Sequence, residues 1–224
     1  LLPFGKDNVI THVVKRAINF QIEPIICTTT DSSDDILEDL AKHLNVRLFR
    51  GSLNNKLKRW LDCADFFDID SFHTIDADDL FFDGEQMKDS LNLLKKETYD
   101  CICPPKESSD GDGSVGYSLT REVIRKSLQN IDDETDTEMM WYFLQKVQNI
   151  KMLELKVSSS YNSPLRLTLD FEEDYWLLSF LQRILGSYAT RDEINNLFIS
   201  NPDLAELNLF RNHEWKAAQL SKKI

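Results

Sequence analysis

Clustered Lys and Arg are missing from this chain, which carries a formal net charge of -12 over 224 residues. A groove that tracks the phosphates of nucleic acid needs such a cluster, so nucleic acid is not expected as a partner. Long apolar runs are equally scarce. Charges break every hydrophobic stretch well short of the roughly 20 residues that cross a bilayer, so no membrane partner is expected. The four cysteines (Cys27, Cys63, Cys101, Cys103) and four histidines (His12, His43, His73, His213) have no zinc-ligand spacing, and no stretch resembles a secretory leader. Reduced thiols and a cytoplasmic location follow as expectations. Cys101-Ile-Cys103 alternates, which in a strand turns both sulfurs to one face as small packing groups. No G-x-x-x-x-G-K-[ST] phosphate loop occurs. Gly111, Gly113 and Gly116 do spell G-x-G-x-x-G, but they follow a loop instead of a strand, so the dinucleotide fingerprint lacks its context.

What is present is the composition of a globular core-forming chain, 42% hydrophobic and 29% charged. Apolar residues recur at helical spacing over residues 9 to 20, and Glu23-Pro-Ile-Ile-Cys27 then reads as a buried strand. Ser32 and Ser33 ahead of two aspartates cap a second helix, followed by a strand at residues 46 to 49. Leu57, Trp60, Leu61 and Ala64 mark one face of a helix over residues 56 to 66, and a strand near residues 72 to 76 runs into Asp76-Ala-Asp78-Asp79. A helix over residues 86 to 96 and a strand over residues 99 to 103 continue the alternation. Residues 104 to 116 form one long turn-rich loop. Helices are expected at residues 121 to 128 and 138 to 147, strands at 151 to 157 and 165 to 169, and a helix at 175 to 185. Everything from residue 190 to 223 reads as helical.

This pattern predicts a three-layer αβα domain with a mostly parallel sheet, of the nucleotide-diphospho-sugar transferase type, over residues 1 to 186. Residues 187 to 224 form a helical C-terminal tail beyond a Gly186-Ser187 hinge. Ligands of such a sheet bind beyond the carboxyl ends of its strands. Two acidic sites are expected there. Asp76-Ala-Asp78 offers two carboxylates one residue apart, able to share a hard cation. Arg166-Leu-Thr-Leu-Asp170 ends a second strand in an aspartate, with Glu172, Glu173 and Asp174 opening a helix. Converging like charges need a cation or a proton between them, and a magnesium nucleotide supplies one.

These residues carry a resemblance. Leu1-Leu-Pro-Phe-Gly with Ile10-Thr-His-Val-Val, then Cys27-Thr-Thr-Thr-Asp31 and Ser33-Asp-Asp35, then Arg50-Gly-Ser52 and Arg59, resemble the cytidylyltransferases that activate acidic sugars. The group is the one similar to spore coat polysaccharide biosynthesis protein F. Thr74-Ile-Asp-Ala-Asp78-Asp-Leu-Phe-Phe-Asp83 stands where that group has Thr-Gly-Asp-Cys-Pro-Leu-Ile-Asp. Leu165-Arg-Leu-Thr-Leu-Asp170…Glu173-Asp174 matches its Leu-Arg-Leu-Thr-Val-Asp…Glu-Asp signature.

The resemblance implies CMP transfer from CTP to an acidic acceptor with release of pyrophosphate, Mg2+ as cofactor, and a homodimer. It implies that Asp78 and Asp170 ligate the metal and that Thr30, Asp31, Gly51 and Ser52 lie near the nucleotide. Asp110 and Gly111 match a Pro-Asp-Gly acceptor segment, although two acidic positions beyond it are Gly113 and Val115 here. Arg166 and Lys106 are candidate cationic supports, and Glu138 either faces the acceptor across a dimer or is an exposed helix acid. For Arg166 the competing expectation is an ion pair with Glu172 or Glu173. The family also begins with a strand and a Ser- and Arg-containing loop, and Leu1 enters the pattern mid-motif, so residues upstream of Leu1 are expected. Two other functions fit the same residues: a metal-dependent glycosyltransferase, in which Asp76 joins Asp78 on the cation, and a degenerate, non-catalytic nucleotide-binding domain.

Overall fold

A computed structural model describes residues 1–96, 98–104, 116–156 and 165–221. Lys106, Asp110, Gly111 and Gly113 lie outside the described residues. A short antiparallel hairpin, β1 (Pro3–Phe4) with β2 (Asp7–Asn8), leads into α1 (Val9–Asn19). Asn8 caps that helix, its side-chain oxygen accepting from the Thr11 N–H at 2.9 Å. β3 (Ile25–Thr29), α2 (Ile36–Leu44), β4 (Arg47–Gly51) and α3 (Lys56–Phe66) follow. α2 stops at Asn45, which takes the left-handed conformation that Asn tolerates better than most residues.

β5 (Ser71–His73), α4 (Gly84–Lys96), β6 (Cys101–Cys103), β7 (Ser118–Thr120), α5 (Arg121–Ser127), α6 (Trp141–Leu144) and β8 (Met152–Glu154) complete the body. α7 (Glu172–Leu185), α8 (Arg191–Ser200) and α9 (Asn212–Ser221) form the C-terminal part, with 3-10 turns at Pro202–Leu207 and Leu209–Arg211 where Asn201-Pro202 stops α8.

The α/β class expected from the sequence is the one observed. β3 and β4 pair in parallel, and a second sheet runs β5-β7-β6-β8. β6 and β8 are parallel, but β7 is antiparallel to both its neighbours, so this sheet is mixed where mostly parallel strands were expected. A three-residue strand leaves no readable period in the sequence. Ile102 packs on one face with Ala17, Phe20, Met87 and Leu94, while Cys101 and Cys103 pack on the other with Leu57, Val123 and Ile124. Helices therefore cover both faces, and the two sulfurs share one side as the alternation requires. Complete burial of a side chain such as Leu57 or Leu119 contributes about 2 kcal/mol.

Two expected elements form differently. The helix expected over residues 138 to 147 is helical only at Trp141–Leu144. Residues 165 to 169 form no sheet ladder: the Leu169 N–H donates to the Asp78 carbonyl at 3.0 Å, and the Arg166 carbonyl accepts from Asn208 at 3.0 Å. The apolar alternation of Leu165, Leu167 and Leu169 reflects packing against α7 instead of strand pairing. Beyond Gly186, the chain is tied back by Arg16, whose guanidinium donates to the Ser187 and Ala189 carbonyls at 3.1 and 2.8 Å. Ala189, Ile194 and Phe198 of the tail join Leu167, Leu177 and Leu181 in one cluster. No helix among the described residues is long and apolar enough to cross a membrane.

Candidate active site

Asp78 does not sit at a strand end. β5 closes at His73, and Thr74 to Asp79 form a loop whose turn is held by the Asp79 N–H donating to the Asp76 carbonyl at 3.1 Å. The loop is seated by Gly116, the last glycine of the G-x-G-x-x-G string. At φ +81°, a Cβ on Gly116 would stand 1.8 Å from the Thr74 carbonyl oxygen. That glycine serves close backbone packing.

The three aspartates of the loop separate by environment. Asp76 is exposed, and its carboxylate is engaged by Lys56 at 2.9 Å. Asp79 is buried. Asp78 is half-buried, and its carboxyl is pushed up from 3.8 to about 6 by burial first and then by the charges of Asp76 and Asp170, with Lys56 opposing. A carboxylate so placed favours whatever brings positive charge, whether a proton or a cation.

Asp170 lies on the adjoining segment, pinned beside Asp78 by the Leu169-to-Asp78 backbone bond. The convergence expected from sequence is thus met, through one backbone bond between loops instead of two neighbouring strands. Asp170 is held from behind by Arg166, whose Nη2 donates to its Oδ2 at 2.8 Å. Arg166 is 1% exposed and pairs two-pronged with the fully buried Asp174, Nε to Oδ1 and Nη2 to Oδ2, both at 2.8 Å. The expected pairing with Glu172 or Glu173 is therefore replaced by pairing with Asp170 and Asp174. Asp174 also accepts the Asp170 and Phe171 N–H groups at 3.0 and 2.9 Å, which starts α7 at this point.

Lys56 is the site residue that the sequence reading passed over. Named only as the start of the helix over residues 56 to 66, it is buried, and it bridges Asp76 at 2.9 Å and Glu138 at 3.2 Å. Burial alone would lower its pKa, but the two carboxylates together raise it, so the ammonium stays charged. Its N-cap, Asn55, preceded by Asn54, was the available signal. Glu138, expected to face an acceptor, reaches the Asp76 loop through this lysine.

Thr30, Asp31, Gly51 and Ser52 come together at the carboxyl ends of β3 and β4. Thr30 N–H donates to the Gly51 carbonyl at 3.1 Å, and Arg50 Nη2 donates to the Asp31 carbonyl at 2.7 Å. The Asp31 carboxylate caps the following turn through Ser33 N–H at 2.8 Å, and this bonding keeps its pKa low. Ser52 Oγ accepts the Asn55 N–H at 3.1 Å. A Cβ at Gly51 would meet Phe49 at 2.9 Å, so the strand end stays bare.

Between β3 and β5 lies a cavity of about 790 Å3, walled by Ile25, Cys27, Phe72 and His73 and reaching Lys56 and Asp76. Among the described residues β3 pairs only with β4, and β5 only with β7.

No family model matches the chain. The chain is 23% identical over 216 residues to spore coat polysaccharide biosynthesis protein SpsF of Bacillus subtilis strain 168, covering 92% of this chain and 89% of that protein. It superposes on a cytidylyltransferase from Leptospira borgpetersenii serovar Hardjo-bovis strain JB197 with a TM-score of 0.78 at 22% identity, covering 91% and 88% of the two chains. The chain has the cytidylyltransferase fold. The same fold recurs at a TM-score of 0.56 and 15% identity in 4-diphosphocytidyl-2C-methyl-D-erythritol synthase from Anaerococcus prevotii DSM 20548, covering 81% of this chain and 92% of that one. The resemblance read from the sequence is thereby met at the level of fold. Thr30, Asp31 and Ser52 lie just beyond the carboxyl ends of the parallel β3 and β4, where α/β sheets bind ligands.

Proposed function

We propose that the chain is a nucleotidyltransferase that moves CMP from CTP to an acidic acceptor, a sugar acid or a phosphonate, and releases pyrophosphate. The observation that carries the reading is the pinning of two acidic loops by the Leu169-to-Asp78 bond, which leaves Asp78 with its raised carboxyl facing the Asp170 charge. Among the described residues no three His, Cys, Asp or Glu side chains group as a ready-made metal cage. Two carboxylates fit a cation that keeps most of its positions for water and phosphate oxygens, as Mg2+ does.

When bound, Mg2+ would supply charge neutralisation at the transferred phosphorus. Asp78 and Asp170 would hold it, and Arg166 would aim the Asp170 carboxylate. Thr30, Asp31, Gly51 and Ser52 would face the nucleotide. Lys56, linking Asp76 to Glu138, is a cation acting on Asp78 and would support the phosphate or the acceptor carboxylate. Lys106, Asp110 and Gly111 are proposed on the acceptor side from their motif alone. The acceptor oxygen attacks the α-phosphorus in line, its proton leaves to solvent, and the pyrophosphate oxygen departs on the opposite side.

The engagement of Asp76 by Lys56 weighs against the glycosyltransferase alternative, in which Asp76 and Asp78 share the cation. A homodimer is part of the same proposal. Trp176, Phe180 and Ile184 form an exposed apolar stripe at four-residue spacing along α7, and such a face suits a second copy. The deciding experiment incubates the protein with Mg2+, each nucleoside triphosphate and a panel of acidic sugars and phosphonates. Pyrophosphate release that requires CTP and one acceptor is expected, and release of free sugar or UDP without pyrophosphate would sink the reading.

A further inference from the structure

The C-terminal tail holds the base of the Asp170 site. Asn208, Arg211, Asn212 and Trp215 follow the spacing of one helical face, and all four close on the segment from Arg166 to Asp174. Asn208 is fully buried and donates through Nδ2 to both the Arg166 carbonyl at 3.0 Å and Asp174 Oδ1 at 2.8 Å. Its own Oδ1 finds no partner, so the position is retained for its donors at a net cost. Asn212 Oδ1 accepts from Arg166 Nη1 at 3.0 Å. Arg211 reaches Glu173 two-pronged at 3.0 and 2.9 Å, and the Trp215 ring stands 5.9 Å from the Arg166 guanidinium.

The consequence for Arg166 is that each of its three nitrogens has a fixed direction. Nε and Nη2 serve Asp174, Nη1 serves the tail, and the remaining reach of Nη2 goes to Asp170. A guanidinium is planar, so fixing Nη1 fixes where Nη2 points. Arg166 and Asp174 both come from the body and pair two-pronged, and Asn208 and Asn212 of the tail add bonds to that pair, one on Asp174 and one on Nη1 of Arg166.

We propose that the tail is a positioning device for Asp170. Through Asn208 and Asn212 it sets the Arg166 guanidinium, and through that the direction in which the Asp170 carboxylate meets a divalent cation beside Asp78. The inference rests on the metal-nucleotide reading above, and it gives Asn208, Asn212 and Trp215 a role in the chemistry that is separate from covering the core.

The test uses the full chain with Mn2+ as the probe, followed by paramagnetic relaxation of water without nucleotide, alongside pyrophosphate release from CTP. Asn208→Ala opens a buried network and can fail to fold, so the half-exposed Asn212 carries the measurement. Asn212→Ala is expected to weaken Mn2+ binding about tenfold, as loss of a group behind a metal ligand does, with an unchanged melting temperature. Asn212→Asp keeps the acceptor oxygen and is expected to restore binding. If Asn212→Ala binds Mn2+ as tightly as the parent chain, the tail only packs and the inference is overturned while the metal site stands. A parent chain that binds no Mn2+ overturns the metal site, and the inference falls with it.

Discussion

The Asp78 loop and the Asp170 loop meet at one backbone hydrogen bond yet are stabilised in opposite ways. Asp170 is exposed and has a buried arginine committed to it, backed by Asp174 and the tail. Asp78 is half-buried, receives no such cation, and feels Asp76 and Asp170 as repulsion, while the one nearby lysine pairs with Asp76. One carboxylate thus shares a buried arginine with Asp174, while the other is held among like charges. A cation or a proton at Asp78 relieves that repulsion.

The comparison breaks first at Arg166. Arg166→Met strands the fully buried Asp174 without its partner, and urea denaturation is expected to show a loss of about 3–5 kcal/mol, because an uncompensated buried charge is costly. Next, Asp170→Asn is expected to reduce pyrophosphate release by about a hundredfold to a thousandfold, equivalent to roughly 3–4 kcal/mol of barrier, with the fold retained; an unchanged rate would remove Asp170 from the site.

Asp78→Asn sharpens the contrast, since it should cost activity and add stability together. The Asp78 carboxyl is raised to about 6 in the folded chain against 3.8 unfolded, so between those values the folded state binds the extra proton. Stability from this group is therefore present below pH 3.8 and lost as pH rises through 6, and the asparagine escapes that loss. A gain on the order of 1–2 kcal/mol at pH 7, absent at pH 4, is expected from paired denaturation curves. The smallest effect is a titration: below pH 6 a proton competes with the cation for Asp78, so Mn2+ affinity should fall by up to tenfold per pH unit. A flat pH profile between 5 and 7 would place the cation elsewhere.

His12 titrates in the opposite sense. Burial lowers its pKa from 6.5 to about 4 despite its bond to the Leu80 carbonyl, so its contribution is complete above pH 6.5 and is lost as pH falls toward 4. Proton effects from His12 and Asp78 overlap in range, and subtracting the Asp78→Asn curve separates them.

Much of this was legible in the sequence because it is local. Helix periods and the alternation of Cys101 with Ile102 depend on neighbours a few residues away, whereas the caps expected at Ser32 and Ser33 do not form: both lie in a 3-10 turn capped by Asp31, and α2 begins after Asp35 without a side-chain cap. Asp170 and its Arg166-to-Asp174 surround could be read as a motif because its members lie within eight residues. Lys56 could not, since its partners Asp76 and Glu138 are 20 and 82 positions away. Residues 165 to 169 were misread for a related reason: their apolar alternation is real, but it answers to α7 and Asn208 instead of a neighbouring strand.

The sequence by itself determined the α/β class, the helices that cover the sheet and the two acidic segments. Only the tertiary structure decided that the Asp78 carboxyl is half-buried beside the Asp76 and Asp170 charges, and that Asn208 and Asn212 of the tail stand behind Asp170. Periodicity and capping are short-range, whereas charge and hydrogen-bond direction depend on which distant side chains the fold brings within a few ångströms.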